Sequence, residues 1–140
     1  MRYLLDTNIF VYLASDKAYL CNDVATILSD YDSVLYMSAE SVKELIVAFR
    51  TKKLLSKQWK SERDMLTAIE EEFYIKILPV TMSHMETYAD MQLNENEGHK
   101  DPSDHVIIAQ AITENIPLIS SDTRFPFYQR QGLELIFNTK

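Results

Sequence analysis

The chain has 140 residues, 46% of them hydrophobic and 25% charged, close to the commonest size of a single domain with its own core. Its two glycines, Gly98 and Gly132, exclude the clustered-glycine turns that cradle dinucleotides or triphosphates, and its lone Cys21 excludes an internal disulfide or a cysteine zinc site. The net charge of −7 repels phosphate backbones at long range, unless the acids gather around cations or the bases gather on one face.

In chain order, Arg2–Leu5 reads as a short strand stopped by Asp6-Thr7-Asn8, followed by a helix through Ile9, Phe10, Tyr12 and Leu13. Val24, Ala25, Ile27 and Leu28 fit a second helix that starts near Asn22 or Asp23. Val34–Met37 is a strand, and Ser38 opens a helix with Val42, Leu45, Ile46 and Phe49 at the spacing of one buried face. Met65, Leu66, Ile69 and Phe73 form another amphipathic helix, and Ile75–Leu78 a strand stopped by Pro79. Ser83–Gln92 is helical and 94–100 is a polar loop. Asp101 at the cap and Pro102 at the first helical position then start a strong helix over Ser103–Asn115. Pro117–Ser120 and Leu133–Phe137 are the last strands. Strands alternating with helices predict a parallel sheet covered on both faces, and such sheets bind ligands beyond the carboxyl ends of their strands.

Two of these strands run into Asp-Thr, at Asp6-Thr7 and Asp122-Thr123, so a parallel sheet brings both carboxylates to one edge. The plainer alternative is that each Asp only caps a turn or a helix. Asp101 and Asp104 suit the first turn of a helix whose dipole favours acids, and that turn lies at the same edge. Glu44, at 100° per residue, falls opposite the apolar stripe of its helix but between Val47 and Ala48, with Glu40 one turn earlier as the competing acid. Several carboxylates in one pocket raise each other's pKa. A hard divalent cation relieves this while keeping positions for water and phosphate oxygens. Hydrolysis of a nucleic-acid backbone is the matching reaction.

Four blocks carry a resemblance: Leu4-Leu5-Asp6-Thr7-Asn8, Ser38–Leu45, His99–Ala111 and Pro117–Phe125. In this order the chain resembles PIN-domain proteins, specifically the VapC-type toxin ribonucleases of toxin–antitoxin pairs. The resemblance implies one PIN domain over 1–140, a three-layer α/β/α sandwich around a mostly parallel sheet, and cleavage of RNA dependent on Mg²⁺ or Mn²⁺. It places the family's acids, as catalytic residues and metal ligands, on Asp6, Glu44, Asp104 and Asp122. Asn8, Ser121 and Asp101 take supporting positions, and Glu40 becomes the runner-up. His105 stands where the family often has arginine. An antitoxin partner and a homodimer are implied as well.

Half of the basic residues lie between Lys43 and Arg63 (Lys43, Arg50, Lys52, Lys53, Lys57, Lys60 and Arg63), with Trp59, the sole tryptophan, among them. They read as a solvated surface with Trp59 packed inward, or as an RNA-guiding patch with a stacking ring. A third use is an antitoxin-helix groove lined by Leu54, Leu55 or Met65. His84, His99 and His105 read as hydrogen-bonding residues rather than ligands. No apolar run approaches the roughly 20 residues needed to cross a bilayer, and the N-terminus lacks a signal-peptide layout, so a cytoplasmic protein with no membrane partner is expected. A non-catalytic PIN-like binding module is the alternative to the nuclease. A haloacid-dehalogenase-type phosphatase is disfavoured, because Asp6-Thr7-Asn8 lacks that family's second Asp.

Overall fold

The computed structural model describes residues 1–52 and 58–140. Leu4 and Leu5 are both fully buried, which requires cover on both faces of the strand β1 (Arg2–Leu5) that carries them. Leu5 joins one core cluster and Leu4 the other, as the period of two along a strand dictates. β1 is central in a five-stranded, all-parallel sheet ordered β3-β2-β1-β4-β5, with β2 Val34–Ser38, β3 Ile75–Leu78, β4 Leu118–Ser120 and β5 Leu135–Phe137. In register, Leu4 faces Tyr36 on β2 and Leu118 on β4.

One face packs against α1 (Thr7–Ser15), α2 (Asn22–Ser29), α3 (Ala39–Arg50) and α4 (Glu62–Glu71), which contribute Ile9, Phe10, Val24, Leu45, Met65 and Ile69. The other packs against α6 (Pro102–Glu114) and a 3₁₀ segment, Phe125–Gln131, through Ile107, Ile108, Phe125 and Tyr128, with α5 (Met82–Asp90) lying on α6. This is the expected three-layer α/β/α sandwich. Residues Asp104 to Ala111 of α6 are all buried, so this helix runs through the core rather than along its surface. Asn115 ends it in a left-handed conformation at φ 55°, which asparagine tolerates better than most residues.

The main departures from the sequence reading are local. Phe73 lies beyond the end of α4, yet it packs into the same core, edge-on to Phe10 at 5.3 Å. The 3₁₀ segment carries no periodic signal, because Pro126 and three aromatic residues sit within four positions. Trp59 is 7% exposed and stacks on Phe10 with centroids 6.3 Å apart, so it is a core residue and not a platform for bases. Met65 is fully buried, which removes it from any surface groove, because α4 turns Met65, Ala68 and Ile69 towards the sheet. Leu54 and Leu55, with Lys53 and Lys57, lie outside the described residues. Of the other bases, Arg50 pairs with Glu62 at 3.0 Å and Lys43 with Glu40 at 2.6 Å, so this stretch carries its own counter-charges. Among the described residues, no helix is long and apolar enough to cross a membrane.

Leu5→Ala removes a fully buried side chain from the central strand and should cost about 2–5 kcal/mol, read as a lower urea midpoint at unchanged slope. A cost below about 1 kcal/mol would mean that the core collapses around the gap and that β1 is not its keystone.

Candidate active site

The strand order reverses between β1 and β4: β2 and β3 extend the sheet to one side of β1, and β4 and β5 to the other. Helices leaving the two strands diverge there, opening a crevice at the carboxyl ends. Asp6 follows β1 and Asp122 follows β4, so the sequence's two Asp-Thr pairs flank this reversal. Asp6 caps α1, its Oδ1 accepting from the Thr7 amide at 2.8 Å and its Oδ2 from the Ser120 hydroxyl at 2.7 Å. The Asp122 amide donates to the same Ser120 oxygen at 3.0 Å, so one hydroxyl joins the two strand ends. Ser121 instead accepts from Asn138 Nδ2 at 2.8 Å, and the Asn138 side chain also binds the Tyr19 carbonyl and the Cys21 amide.

Ser38 caps α3, and Glu44 lies on the turn that faces α1. The Thr7 hydroxyl donates to Glu44 Oε1 at 2.8 Å and also hydrogen-bonds Ser41 Oγ at 2.8 Å. Thr7 thereby separates the two acids of α3: Glu44 is drawn to the crevice, while Glu40 pairs with Lys43. Asp101 caps α6 and accepts from the Ser103 amide at 3.0 Å, and Asp104 follows in the first turn. Asn8 is exposed at the start of α1.

Asp104 is the hub. His99, Asp104 and Asp122 offer ligand atoms that all lie within 4.8 Å of one another, and so do Glu44, Asp101 and Asp104. Asp6 stands outside both triads, its oxygens taken by Thr7 and Ser120, but it shares their charge environment. Burial first, then the charges of Asp104 and Glu44, push Asp6 up to about 7 against the Ser120 hydrogen bond. Burial first, then Asp101, Glu44 and Asp122, push Asp104 up to about 7 against Arg124. Burial also raises Glu44 despite its bond from Thr7. Asp122 goes the other way: burial alone would raise it, but Arg124 grips it with Nε to Oδ1 at 3.0 Å and NH2 to Oδ2 at 2.7 Å and holds it below the carboxylate range. Arg124 also lies 3.9 Å from Asp104.

His99, Ser120, Thr7, Tyr128 and Arg124 are contributions that periodicity does not reveal. Buried His99 meets Asp104 Oδ2 through Nε2 at 3.0 Å and Tyr128 Oη through Nδ1 at 2.9 Å. Tyr128 Oη accepts from the Asn94 amide at 3.0 Å. With Asp104 ionised, this network places the His99 proton on Nε2 and has Tyr128 donate to Nδ1. Burial first, and Arg124 next, lower the His99 pKa, which keeps the ring neutral. The only sequence signal for His99 is its place five residues before Asp104. His105 turns inward, with Nε2 at 3.0 Å from the His99 carbonyl. His84 binds the Thr81 amide at 3.0 Å and Glu114 at 2.7 Å, on the far end of the α5–α6 pair.

A donor set of carboxylates with one imidazole fits a hard divalent cation such as Mg²⁺ or Mn²⁺. Acids gathered where the strand order of an all-parallel α/β sandwich reverses lie where such sheets bind ligands. The PIN domain model matches residues 3–130, and the chain belongs to the PIN domain family. No curated protein sequence matches it. Among solved structures, it is similar to VapBC-1 from nontypeable Haemophilus influenzae at 23% identity, TM-score 0.69, with 100% of each chain covered. It is similar to VapBC2 from Rickettsia felis bound to a promoter DNA fragment at 22% identity, TM-score 0.68 and 99% of each chain. FitAcB from Neisseria gonorrhoeae follows at 22% identity and TM-score 0.63, over 97% of this chain and 96% of that one.

Asp104→Asn tests the electrostatics directly. Between the ordinary carboxylate range and about 7, the folded chain keeps on Asp104 a proton that the unfolded chain releases, so this group's contribution to stability falls as pH rises through that window. In EDTA the variant should therefore gain on the parent as pH goes from 5 to 8, reaching a melting temperature about 3–5 °C higher, the equivalent of about 1 kcal/mol. A gap that shrinks with pH would place the strain elsewhere.

Proposed function

We propose that the chain is a Mg²⁺- or Mn²⁺-dependent endoribonuclease, acting in the cytoplasm as the toxin component of a toxin–antitoxin pair. The observation that carries this reading is the gathering of Glu44, Asp104 and Asp122 where the strand order reverses, with Asp104 shared by two potential ligand triads and Asp6 coupled by charge to Asp104 and Glu44. Membership of the PIN family supports a nuclease, and the likeness to VapBC and FitAcB structures supports a protein partner; a homodimer is part of the proposal on the sequence resemblance alone.

In this mechanism Asp104 and Asp122, with Asp6 beside them, would hold the cation, and Glu44 would reach it directly or through water. When bound, the cation supplies charge neutralisation, a more acidic bound water, and stabilisation of the attacking and leaving oxygens. Glu44 stands at the edge of this set with Oε1 held by Thr7, so a proton taken from the attacking water goes to Oε2. His99 donates to Asp104 Oδ2 and fixes the carboxylate's orientation. The water oxygen adds to phosphorus in line with the departing ribose oxygen as that P–O bond breaks, and the departing oxygen takes up a proton from solvent.

Purified chain incubated with total RNA and Mn²⁺ should give discrete fragments. Cleavage should disappear with EDTA and fall at least about 100-fold in Asp104→Asn, within the range for losing one electrostatic catalytic group. Asp6→Asn should fall comparably while staying folded. Absence of cleavage, with no rise in melting temperature on adding Mn²⁺, would replace this reading with that of a non-catalytic binding module.

A further inference from the structure

The loop that leads into α6 has a second, separate concavity on its other side. Tyr88 of α5, Leu93, Glu95, Gly98, His99 and Lys100 of the loop, and His105 of α6 enclose about 430 Å³. That volume lies within the range of small-molecule sites. Its walls are built from rings. Tyr88 and His105 have centroids 5.7 Å apart, and His99 and His105 4.7 Å apart. Both imidazoles are 2% exposed, so they are held rigidly as floor rather than as mobile side chains. His99 belongs to this pocket and also touches Asp104, so the pocket lies one side chain away from the acid cluster.

We propose that this pocket receives the base of a nucleotide flanking the scissile phosphate, an inference that rests on the ribonuclease reading above. The partly exposed Tyr88 ring, above the buried His99 and His105, suits stacking, which every base accepts. The polar rim suits a neutral ring with donors and acceptors. Glu95 offers a carboxylate to an exocyclic amine, Lys100 an ammonium to a base carbonyl or the adjoining phosphate, and Tyr88 a hydroxyl. Among the described residues that hydroxyl is held by a long 3.5 Å contact to His105 Nδ1, so it can turn to a base edge at little cost. The ring nitrogens of His99 are already committed to Tyr128 and Asp104, so His99 packs the floor and offers no hydrogen bond. Gly98 takes φ +65° at the pocket wall with nothing within 4 Å of where a Cβ would stand, which keeps this side open. The pocket therefore sets which nucleotide lies beside the cut.

The test uses the whole chain in EDTA, so that binding is read without cleavage. Each of the four nucleoside 5′-monophosphates, and ribose 5-phosphate, is titrated against the protein's amide NMR signals. At least one nucleotide should shift the signals of Leu93 to Lys100 and His105 in a saturable way, and Tyr88→Ala should weaken that binding at least fivefold. With Mn²⁺, the fragments made by Tyr88→Ala should lose nucleotide preference on one side of the cut. Equal shifts with ribose 5-phosphate would overturn base recognition and leave only an anion near Lys100. RNA cleavage by the parent, with no nucleotide shifting these signals and an unchanged cut preference in Tyr88→Ala, would overturn the pocket and spare the nuclease. Nucleotide binding here in a chain that cuts no RNA would keep the base site and overturn the nuclease.

Discussion

Bringing carboxylates together out of water is unfavourable twice over, through lost hydration and through mutual repulsion, and much of this chain's architecture answers that cost. Two central strands end side by side, so Asp6 and Asp122 can hardly avoid one another. The first turn of α6 adds Asp101 and Asp104, and α3 adds Glu44. The surrounding groups absorb the strain in different ways. Ser120 and Thr7 donate hydrogen bonds to Asp6, Thr7 donates to Glu44, and Arg124 stands as counter-ion on Asp122. The chain's overall acidity goes with this gathering of acids at one edge, and its bases are in part paired locally.

The division of labour between the two triads follows from their neighbours. His99, Asp104 and Asp122 are walled by Tyr128 and Arg124, and their geometry is set by buried hydrogen bonds. Glu44, Asp101 and Asp104 form the more open set, in which Asp101 is exposed and Glu44 half-buried. Asp104 belongs to both, and α6 holds it in place with seven further consecutive buried residues behind it. Moving Asp104 would mean moving the core.

Most elements were legible from the chain because periodicity and end signals agreed. Leu4-Leu5 before Asp6 reads as strand then cap, and Asp101-Pro102 reads as a helix start; both hold. Asp6, Asp104 and Asp122 could be named because they sit at the ends of such elements. The 3₁₀ segment from Phe125 could not, since its fold comes from Tyr128 and Phe125 packing under the sheet rather than from any repeat. A helical wheel puts Glu40 and Glu44 on one side of α3 and cannot choose between them. The choice is made by Thr7, 37 positions earlier. Ser120 reaches Asp6 across 114 positions, and such a contact exists only once the two strands are neighbours. His99 likewise looks like a loop histidine until Tyr128 and Asp104 close on both of its nitrogens.

The clasp around Ser120 and Ser121 has a consequence for recognition. Ser120 ties this segment to β1 through Asp6, while Ser121 is tied through Asn138 to the turn before α2. The segment that presents Asp122 is thus pinned from both flanks before any ligand arrives. A loop already ordered gives up little conformational freedom on binding, so contact free energy at this edge goes into affinity and alignment rather than into stiffening the chain.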